Sequence, residues 1–549
     1  MDYSELVEIY EKLSATTKKL EKRDIIAEFI KNLDTDELGI VIPLIQGKIF
    51  LEVEEQELGI ADKLIIQAIM RLGFSKTEVI DKFRDTGDLG LVAEKFAEKK
   101  RQATLFQRKL TTEKVLSSIR ELATPEGKNS QNRKLKIILE LLNFSTPKEA
   151  LYITRTILED LRLGVAEGIL RDSIALGFDA DKEKVEYAYN LETDFGIVAK
   201  IAKEKGNEGL EEVKLEIGRP IKVMLSEKAP DLEKAIEKAK EPAIEIKYDG
   251  MRTLVQKDKD KIWLFTRRLE NVTKQFPDLV ELCRKNIKSE KAILEGETLA
   301  IKDGKPAPFQ ELSKRIHRKY DIEKISEEIP IQINFFDCIL VDDEQLLEES
   351  FSERRKKLEE VVNQVEGKFQ LAEQIKTTDL KEAEEFYHRA LDAGQEGVMV
   401  KNLSAPYQPG KRVGYMYKVK PEKESLDLVI TGAEWGQGRR ANWLASFILS
   451  VRDEETGELF EIGRMGTGLT DEQFKDMTER LKPLIIREEE NTVYLKPKMV
   501  VETGYQELQR SPNYKSGFAL RFPKLIGIRE DKSVENIETV QRIKRLYKL

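Results

Sequence analysis

The chain has 549 residues, 40% hydrophobic and 35% charged, with 93 Lys and Arg against 101 Asp and Glu. That apolar share sustains several packed cores, which sets aside disordered, collagenous and low-complexity classes, and the length suggests three or four domains. A net charge of −8 offers a polyanion no whole-molecule attraction, so any nucleic acid must be held by local basic surface.

The polar start MDYSELVEIYEKL is no secretory leader, and no apolar run approaches the roughly 18 residues a membrane helix needs. Two cysteines, Cys283 and Cys338, make neither a disulfide framework nor a four-cysteine zinc site. The expectation is a soluble, cytoplasmic, multidomain protein.

Residues 1–215 read as an all-α domain. Ile137, Ile138, Leu141 and Leu142 recur at helical spacing, and Thr146-Pro147-Lys148-Glu149 is a capping box with proline first. The polar stretch from Thr124 to Asn132 predicts a loop between two halves. These halves repeat: LGIADKLIIQAI at Leu58 returns as LGVAEGILRDSI at Leu163, and GDLGLVA at Gly87 as TDFGIVA at Thr193. Two copies suggest a pseudo-twofold helical domain. Gly59, Gly90, Gly164 and Gly196 lie near helix starts. They either permit tight helix packing or bare backbone N–H groups to phosphates of a duplex.

From residue 216 the pattern changes to short strands: GRPIKVML, AIEIKYDGMRTLV, IWLFTR, AILEGETLAI, IQINFFDCILV and EGVMVKN, with the helical run SFSERRKKLEEVVNQV among them. This predicts an α/β domain over 216–420. Over 421–549, short turn-punctuated strands flank a helix capped by Thr470, which suits a five-stranded OB-fold barrel followed by a terminal helix.

Lys247 alternates with strand residues before a glycine turn in Glu245-Ile-Lys-Tyr-Asp-Gly250-Met-Arg252, which aims its amine into a pocket. Neighbouring cations and partial desolvation make such an amine nucleophilic, though KxDG alone also describes a surface lysine before a turn. Spaced companions sharpen the reading: Thr266-Arg267-Arg268, Glu295-Gly296-Glu297, Phe335-Phe336-Asp337, Glu396-Gly397-Val398-Met399-Val400-Lys401, Arg412, Lys418-Val-Lys420, and Arg521-Phe-Pro with Arg529.

This ordered series resembles the ATP-dependent DNA ligases of the archaeal and eukaryotic replicative type, within the covalent nucleotidyltransferases. The resemblance implies that Lys247 takes AMP from ATP, passes it to the 5′-phosphate at a nick, and that the 3′-hydroxyl then seals the strand, in replication, repair and recombination. It implies nucleotide contacts from Glu245, Arg252, Arg267, Glu297, Phe336 (stacking on adenine), Arg412 and Lys418, with Lys420 beside them. Mg²⁺ would be associated with Glu297 and Glu396. Arg521 and Arg529 would act only after domain movement. Nicked duplex DNA is the implied partner, and a monomer the implied state.

Plainer readings stay open beside each role. Phe335 and Phe336 suit core packing, the two glutamates suit surface ion pairs, and Lys418 and Lys420 suit a solvated strand edge. His317, in the basic run KRIHRKY, fits either a solvated loop or a DNA-backbone contact. Gln102-Ala-Thr-Leu-Phe106 is a reduced form of the peptide by which archaeal ligases dock on the sliding clamp, with Gln107 in place of the second aromatic. The usual four-cysteine module of NAD-dependent ligases is not available to two cysteines. An RNA ligase, a capping guanylyltransferase and an inactive DNA-binding scaffold are the competing classes.

Overall fold

The computed structural model describes the chain apart from positions 52, 53, 55, 101–108, 125, 126, 128, 308, 317, 319, 422–424, 437–439, 441, 490 and 549. The clamp-like peptide Gln102–Phe106 and His317 therefore lie outside the described residues. Contacts divide the chain into two units, one of Met1–Ile80 and Leu89–Pro421 and one of Asp81–Asp88 and Glu422–Leu549. No helix among the described residues is long and apolar enough to cross a membrane.

The N-terminal region is helical: α1 Tyr3–Ser14, α2 Lys19–Lys31, α3 Thr35–Gln46, α4 Asp62–Arg71, α5 Lys76–Thr86, α6 Leu89–Lys100, α7 Thr112–Glu121, α8 Ser130–Phe144, α9 Pro147–Ile157, α10 Glu167–Gly177, α11 Lys182–Glu192 and α12 Phe195–Glu211. Thr146 caps α9 as expected: its hydroxyl accepts the Glu149 N–H at 3.4 Å, and Glu149 Oε2 accepts the Thr146 N–H at 2.7 Å.

The internal repeat is α1–α6 followed by α7–α12. Its start is marked by Asp2 and Thr111, the residues before α1 and α7, which pair as an antiparallel bridge. The stretch Thr124–Asn132, expected to divide the halves, instead lies inside the second one, between α7 and α8, and is already helical from Ser130. The halves interlock. α4 and α6 pack on α8 and α9, while α10 and α12 pack on α2 and α3.

A lysine from one half closes each equivalent loop of the other. Lys134 of α8 donates to the Leu58 carbonyl at 2.7 Å, and Lys22 of α2 donates to the Leu163 carbonyl. The residues that follow those carbonyls, Gly59 and Gly164, take φ of +57° and +63°, a left-handed backbone that glycine adopts without a Cβ clash. Gly196 serves packing instead, because the Gly39 backbone of α3 occupies the space a side chain would need.

The following region holds β1 Glu227–Lys228, α13 Leu232–Ala239, β2 Pro242–Lys247, β3 Met251–Asp258, β4 Lys261–Thr266, α14 Pro277–Asn286, β5 Lys291–Lys302, β6 Lys305–Pro306, α15 Phe309–Ile316, α16 Ile322–Glu328, β7 Ile331–Val341, β8 Glu344–Gln345, α17 Phe351–Val361, β9 Phe369–Leu371, β10 Gln374–Lys376, α18 Leu380–Asp392, β11 Gly397–Asn402 and β12 Met416–Val419. Two sheets result. One runs β4-β3-β5-β7-β8, with β6 on β5 and β9 on β7; the other runs β1-β12-β11-β2-β10. The first buries Val255, Leu264, Leu294 and Phe335 with Phe276 and Leu279 beneath α14, α15 and α17. The second buries Ile244, Val398 and Val400 against Ala235 of α13 and Phe386 of α18.

Residues 218–225, expected as a strand, join no sheet. Proline at 220 removes one ladder donor. The segment bonds instead to the loop before β12: Gly410 N–H donates to Lys222 O at 3.1 Å and Leu225 N–H to Lys411 O at 2.9 Å.

The other unit is strand-rich: β13 Leu426–Trp435, β14 Leu444–Arg452, β15 Leu459–Met465, α19 Asp471–Leu481, β16 Ile485–Glu489, β17 Thr492–Leu495, β18 Val500–Gly504, β19 Glu507–Arg510, β20 Phe518–Arg521, β21 Lys524–Ile528 and α20 Val540–Lys548. The order β15-β14-β13-β17-β16 is extended by β18, which pairs with β13 and β21. Thr470 caps α19 through a capping box with Gln473, and Phe474 and Met477 of that helix join Leu428, Phe447 and Met465 in the core.

Candidate active site

β2 ends on Lys247 and β3 begins at Met251. The turn between them lies flat against β5, since a side chain at Gly250 would meet the Thr298 carbonyl and Leu299. Lys247 pairs in register with Gly397 of β11, and the Glu396 N–H donates to the Lys247 carbonyl at 3.0 Å. That close backbone pairing brings the two side chains together: the Lys247 ammonium forms an ion pair with Glu396. Lys420, just beyond β12, reaches the same carboxylate oxygen at 2.6 Å. Burial alone would raise the Glu396 carboxyl, but Lys247 and Lys420 outweigh it and hold the group below its ordinary range.

More cations surround this group. Lys418 stands opposite Met399, on the face shared with Glu245 and Lys247. Its ammonium is pushed down by burial and by Lys247, Lys420, Arg412 and Arg267. Arg267, just past β4, stays open to solvent over much of its surface, and the partial desolvation of its guanidinium together with Arg252 and Arg412 pushes it down. A concentration of positive charge like this suits a polyphosphate that arrives with its own negative charge.

Across the larger sheet, Arg252 of β3, Glu297 of β5 and Asn334 of β7 stand in one row. Burial raises the Glu297 carboxyl to about 7, with Glu396 and Asp249 adding to the rise and Lys247 and Arg252 opposing it. Arg252 is tethered: Nη2 donates to Glu295 Oε2 at 2.7 Å and Nη1 to the Met224 carbonyl at 2.8 Å.

A register shift explains the Phe-Phe-Asp run. Glu295 pairs with Asp337 and Gly296 with Phe335, so Phe336 has no partner and sits in a β-bulge that re-aims it. Phe335 is fully buried, edge-on to Phe369 at 4.7 Å between centroids. Phe336 is only partly buried, with Arg252 at 5.4 Å and Lys401 at 4.5 Å from its ring. Asp337 turns to Arg354, which donates to both its oxygens, at 2.7 and 3.1 Å.

Glu245 lies deeper, 2% exposed. Lys401 Nζ is 2.6 Å from one of its oxygens, while Gln374 Nε2 and Arg355 Nη1 are 2.8 and 3.5 Å from the other. Its charge is thus neutralised by protein groups. Arg412 is exposed in the loop that precedes β12, where its charge acts on Arg267 and Lys418. Arg521 and Arg529 belong to the other unit, the first 3.3 Å from Glu507 and the second paired with Asp427 and Asp531.

The fold therefore gathers Lys247, Arg252, Arg267, Glu297, Phe336, Glu396 and Lys418 around one region, with Glu245 beneath. Lys401 and Glu295 were legible only as motif letters. Alternation along β11 and β5 puts them on the site's face, which was the available signal. No group of three His, Cys, Asp or Glu side chains among the described residues forms a cage for a metal. Two carboxylates, Glu297 and Glu396, do fit Mg²⁺, which is commonly held by one or two carboxylates together with substrate phosphates.

Family models match most of the chain: "DNA ligase N terminus" over residues 2–175, "ATP dependent DNA ligase domain" over 223–420 and "ATP dependent DNA ligase C terminal region" over 440–532. The sequence is 47% identical to a DNA ligase of Thermococcus fumicolans, over 100% of this chain and 99% of that one. It is 46% identical to a DNA ligase of Nanoarchaeum equitans and 43% to one of Archaeoglobus fulgidus, each over 100% of this chain and 99% of the relative. The solved structure Pmar-Lig_PreS3 shares the fold at a TM-score of 0.58 and 18% identity, over 95% of this chain and 99% of that one.

Proposed function

Because the chain belongs to the ATP-dependent DNA ligases, we propose that Lys247 is the residue that carries AMP and that the side chains gathered around it serve that transfer. The chain seals nicks in duplex DNA, with ATP as substrate and Mg²⁺ as cofactor. The bonds change in three steps. An amine attacks the α-phosphorus, so that a P–N bond forms, the bond to the β-phosphate breaks, and the amine proton and pyrophosphate leave. AMP then passes to the 5′-phosphate, exchanging the P–N bond for a pyrophosphate linkage. Finally the 3′-hydroxyl attacks that 5′-phosphorus, sealing the strand and releasing AMP. The covalent intermediate divides one difficult displacement into easier ones.

In this reading Arg252, Arg267, Arg412, Lys418 and Lys420 bind phosphate oxygens and stabilise charge as pyrophosphate leaves. Phe336, freed from the ladder by its bulge, stacks on adenine, and Glu297 binds the ribose. Glu297 and Glu396 would hold Mg²⁺, which screens phosphate charge when bound. Glu245 would act at the nucleotide through its strand position, since its carboxylate is committed to Lys401. The proposal includes three domains, 1–215, 216–420 and 421–549, the last an OB-fold. The loops at Gly59 and Gly164 would each meet one stretch of duplex backbone. Clamp docking through Gln102–Phe106 and a monomeric state rest on the sequence.

The observation that carries the assignment is the Lys247–Glu396–Lys420 cluster, set on a motif series inside a matched ligase domain. Incubation with α-labelled ATP tests it. Label should appear on the wild-type protein, be absent from Lys247→Ala, and be discharged by nicked duplex. Label retained on Lys247→Ala would refute the role of that lysine.

A further inference from the structure

Tyr407 belongs to none of the motifs, yet it is buried at 2% exposure beside the tethered arginine. Its hydroxyl donates to Glu295 Oε1 at 3.0 Å and accepts the Met224 N–H at 2.9 Å. With the two bonds already described, from Arg252 to Glu295 and to the Met224 carbonyl, these close a ring of four hydrogen bonds. We propose that Tyr407 is a positioning residue for AMP transfer, fixing Arg252 through Glu295 and tying both to the Met224 backbone.

Three features support this. Glu295 is fully buried, so both oxygens need donors, and Tyr407 and Arg252 supply one each. The phenol serves as donor and acceptor at once, which phenylalanine cannot do. Its burial keeps it a neutral O–H, because desolvation and the nearby Glu295 charge raise it well above the ordinary phenol range. Arg252 in turn faces the Phe336 ring at 5.4 Å and stands across the ladder from Glu297. A small shift of the guanidinium would misplace it against the nucleotide, and misplacement of about 1 Å is costly in catalysis. Met224 belongs to the segment arriving from the helical region. Lys222 of that segment accepts from Gly410 at 3.1 Å and donates its own N–H to Asn190 O of α11 at 2.9 Å. The ring thereby links the placement of Arg252 to the seating of that segment.

The proposal deepens the role given to Arg252 above and rests on it. The test is a double-mutant cycle on the full chain, reading the single-turnover rate of lysyl-AMP formation at saturating ATP. Tyr407→Phe should slow the wild type roughly tenfold and add less than about twofold in an Arg252→Ala background. Equal losses in both backgrounds, or a wild-type rate in Tyr407→Phe, would overturn it, since a merely structural hydroxyl acts alike in either. If Tyr407→Phe does not fold, Glu295→Gln goes through the same cycle. It keeps an acceptor for Tyr407 but sets an amide donor against Arg252, and equal losses there overturn the proposal too. A wild-type rate in Arg252→Ala would instead sink the assignment of that arginine itself.

Discussion

Lys247 and Glu396 are joined twice, by the ion pair of their side chains and by a backbone bond of 3.0 Å from the Glu396 N–H to the Lys247 carbonyl. The nucleophile candidate and its counter-ion are therefore held by one ladder step. Replacing Lys247 with Arg keeps the positive charge beside Glu396 but offers a group that is not deprotonated in proteins. Labelling with α-labelled ATP should fall below detection in Lys247→Arg, while the melting temperature stays within a few degrees of wild type.

Glu297 sets a pH dependence. Its carboxyl, raised to about 7 by burial, Glu396 and Asp249, binds a proton below that pH, and Mg²⁺ held there as proposed would have to displace it. The Mg²⁺ concentration for half-maximal AMP transfer should rise by up to about tenfold per pH unit below 7 and level off above it. Mg²⁺ titrations at pH 6, 7 and 8 measure this. The linked stability has a definite sign. The folded state binds this proton more tightly than the unfolded chain, so stability declines as pH rises from the ordinary glutamate value of about 4.3 to 7. Glu297→Gln should therefore raise the melting temperature at pH 8 more than at pH 5.

Asp337 is a structural acid in a catalytic-looking motif. Its partner Arg354 is 1% exposed and also donates to the Glu349 and Ala405 carbonyls, at 2.7 and 3.0 Å. Removing one member of a buried pair strands the other charge, at a cost of about 3–5 kcal/mol. Asp337→Ala should lower the unfolding midpoint sharply, and calorimetry checks it.

Lys22 and Lys134 close equivalent loops in the two helical halves. If those loops meet duplex phosphates, replacing both lysines with Met should weaken binding to a nicked duplex. The slope of log affinity against log salt should become shallower by up to roughly 1.8, at about 0.9 per phosphate contact. AMP transfer to Lys247 without DNA should stay within about twofold. Fluorescence anisotropy across a salt series distinguishes this from a uniform loss of fold.

Much of the site was legible because its chemistry repeats fixed spacings. Lys247, Glu297 and Lys418 each sit on strands whose alternation could be read directly. The split between Phe335 and Phe336 was less so. Adjacent residues on a strand face opposite ways, but only the bulge explains how Asp337 turns back to the face of Glu295. Ladder pairing between distant strands decides that, and no local pattern records it. The same holds for Glu245, read as a nucleotide contact, whose charge is met by Lys401 more than 150 positions away. In the helical region the repeat was visible, but the boundary between copies was not. The polar stretch before α8 falls within the second copy, between α7 and α8, and not between the copies.

The interlocking of α4 and α6 with α8 and α9, and of α10 and α12 with α2 and α3, means that each copy finishes the hydrophobic interior of its twin. Each stretch of about a hundred residues therefore leaves to the other the covering of part of its apolar surface. Cut apart and mixed, the pieces should reassemble as a heterodimer, whereas each kept by itself should behave as a molten or aggregating chain. A duplicated segment in this arrangement is, in effect, a symmetric dimer written on one polypeptide.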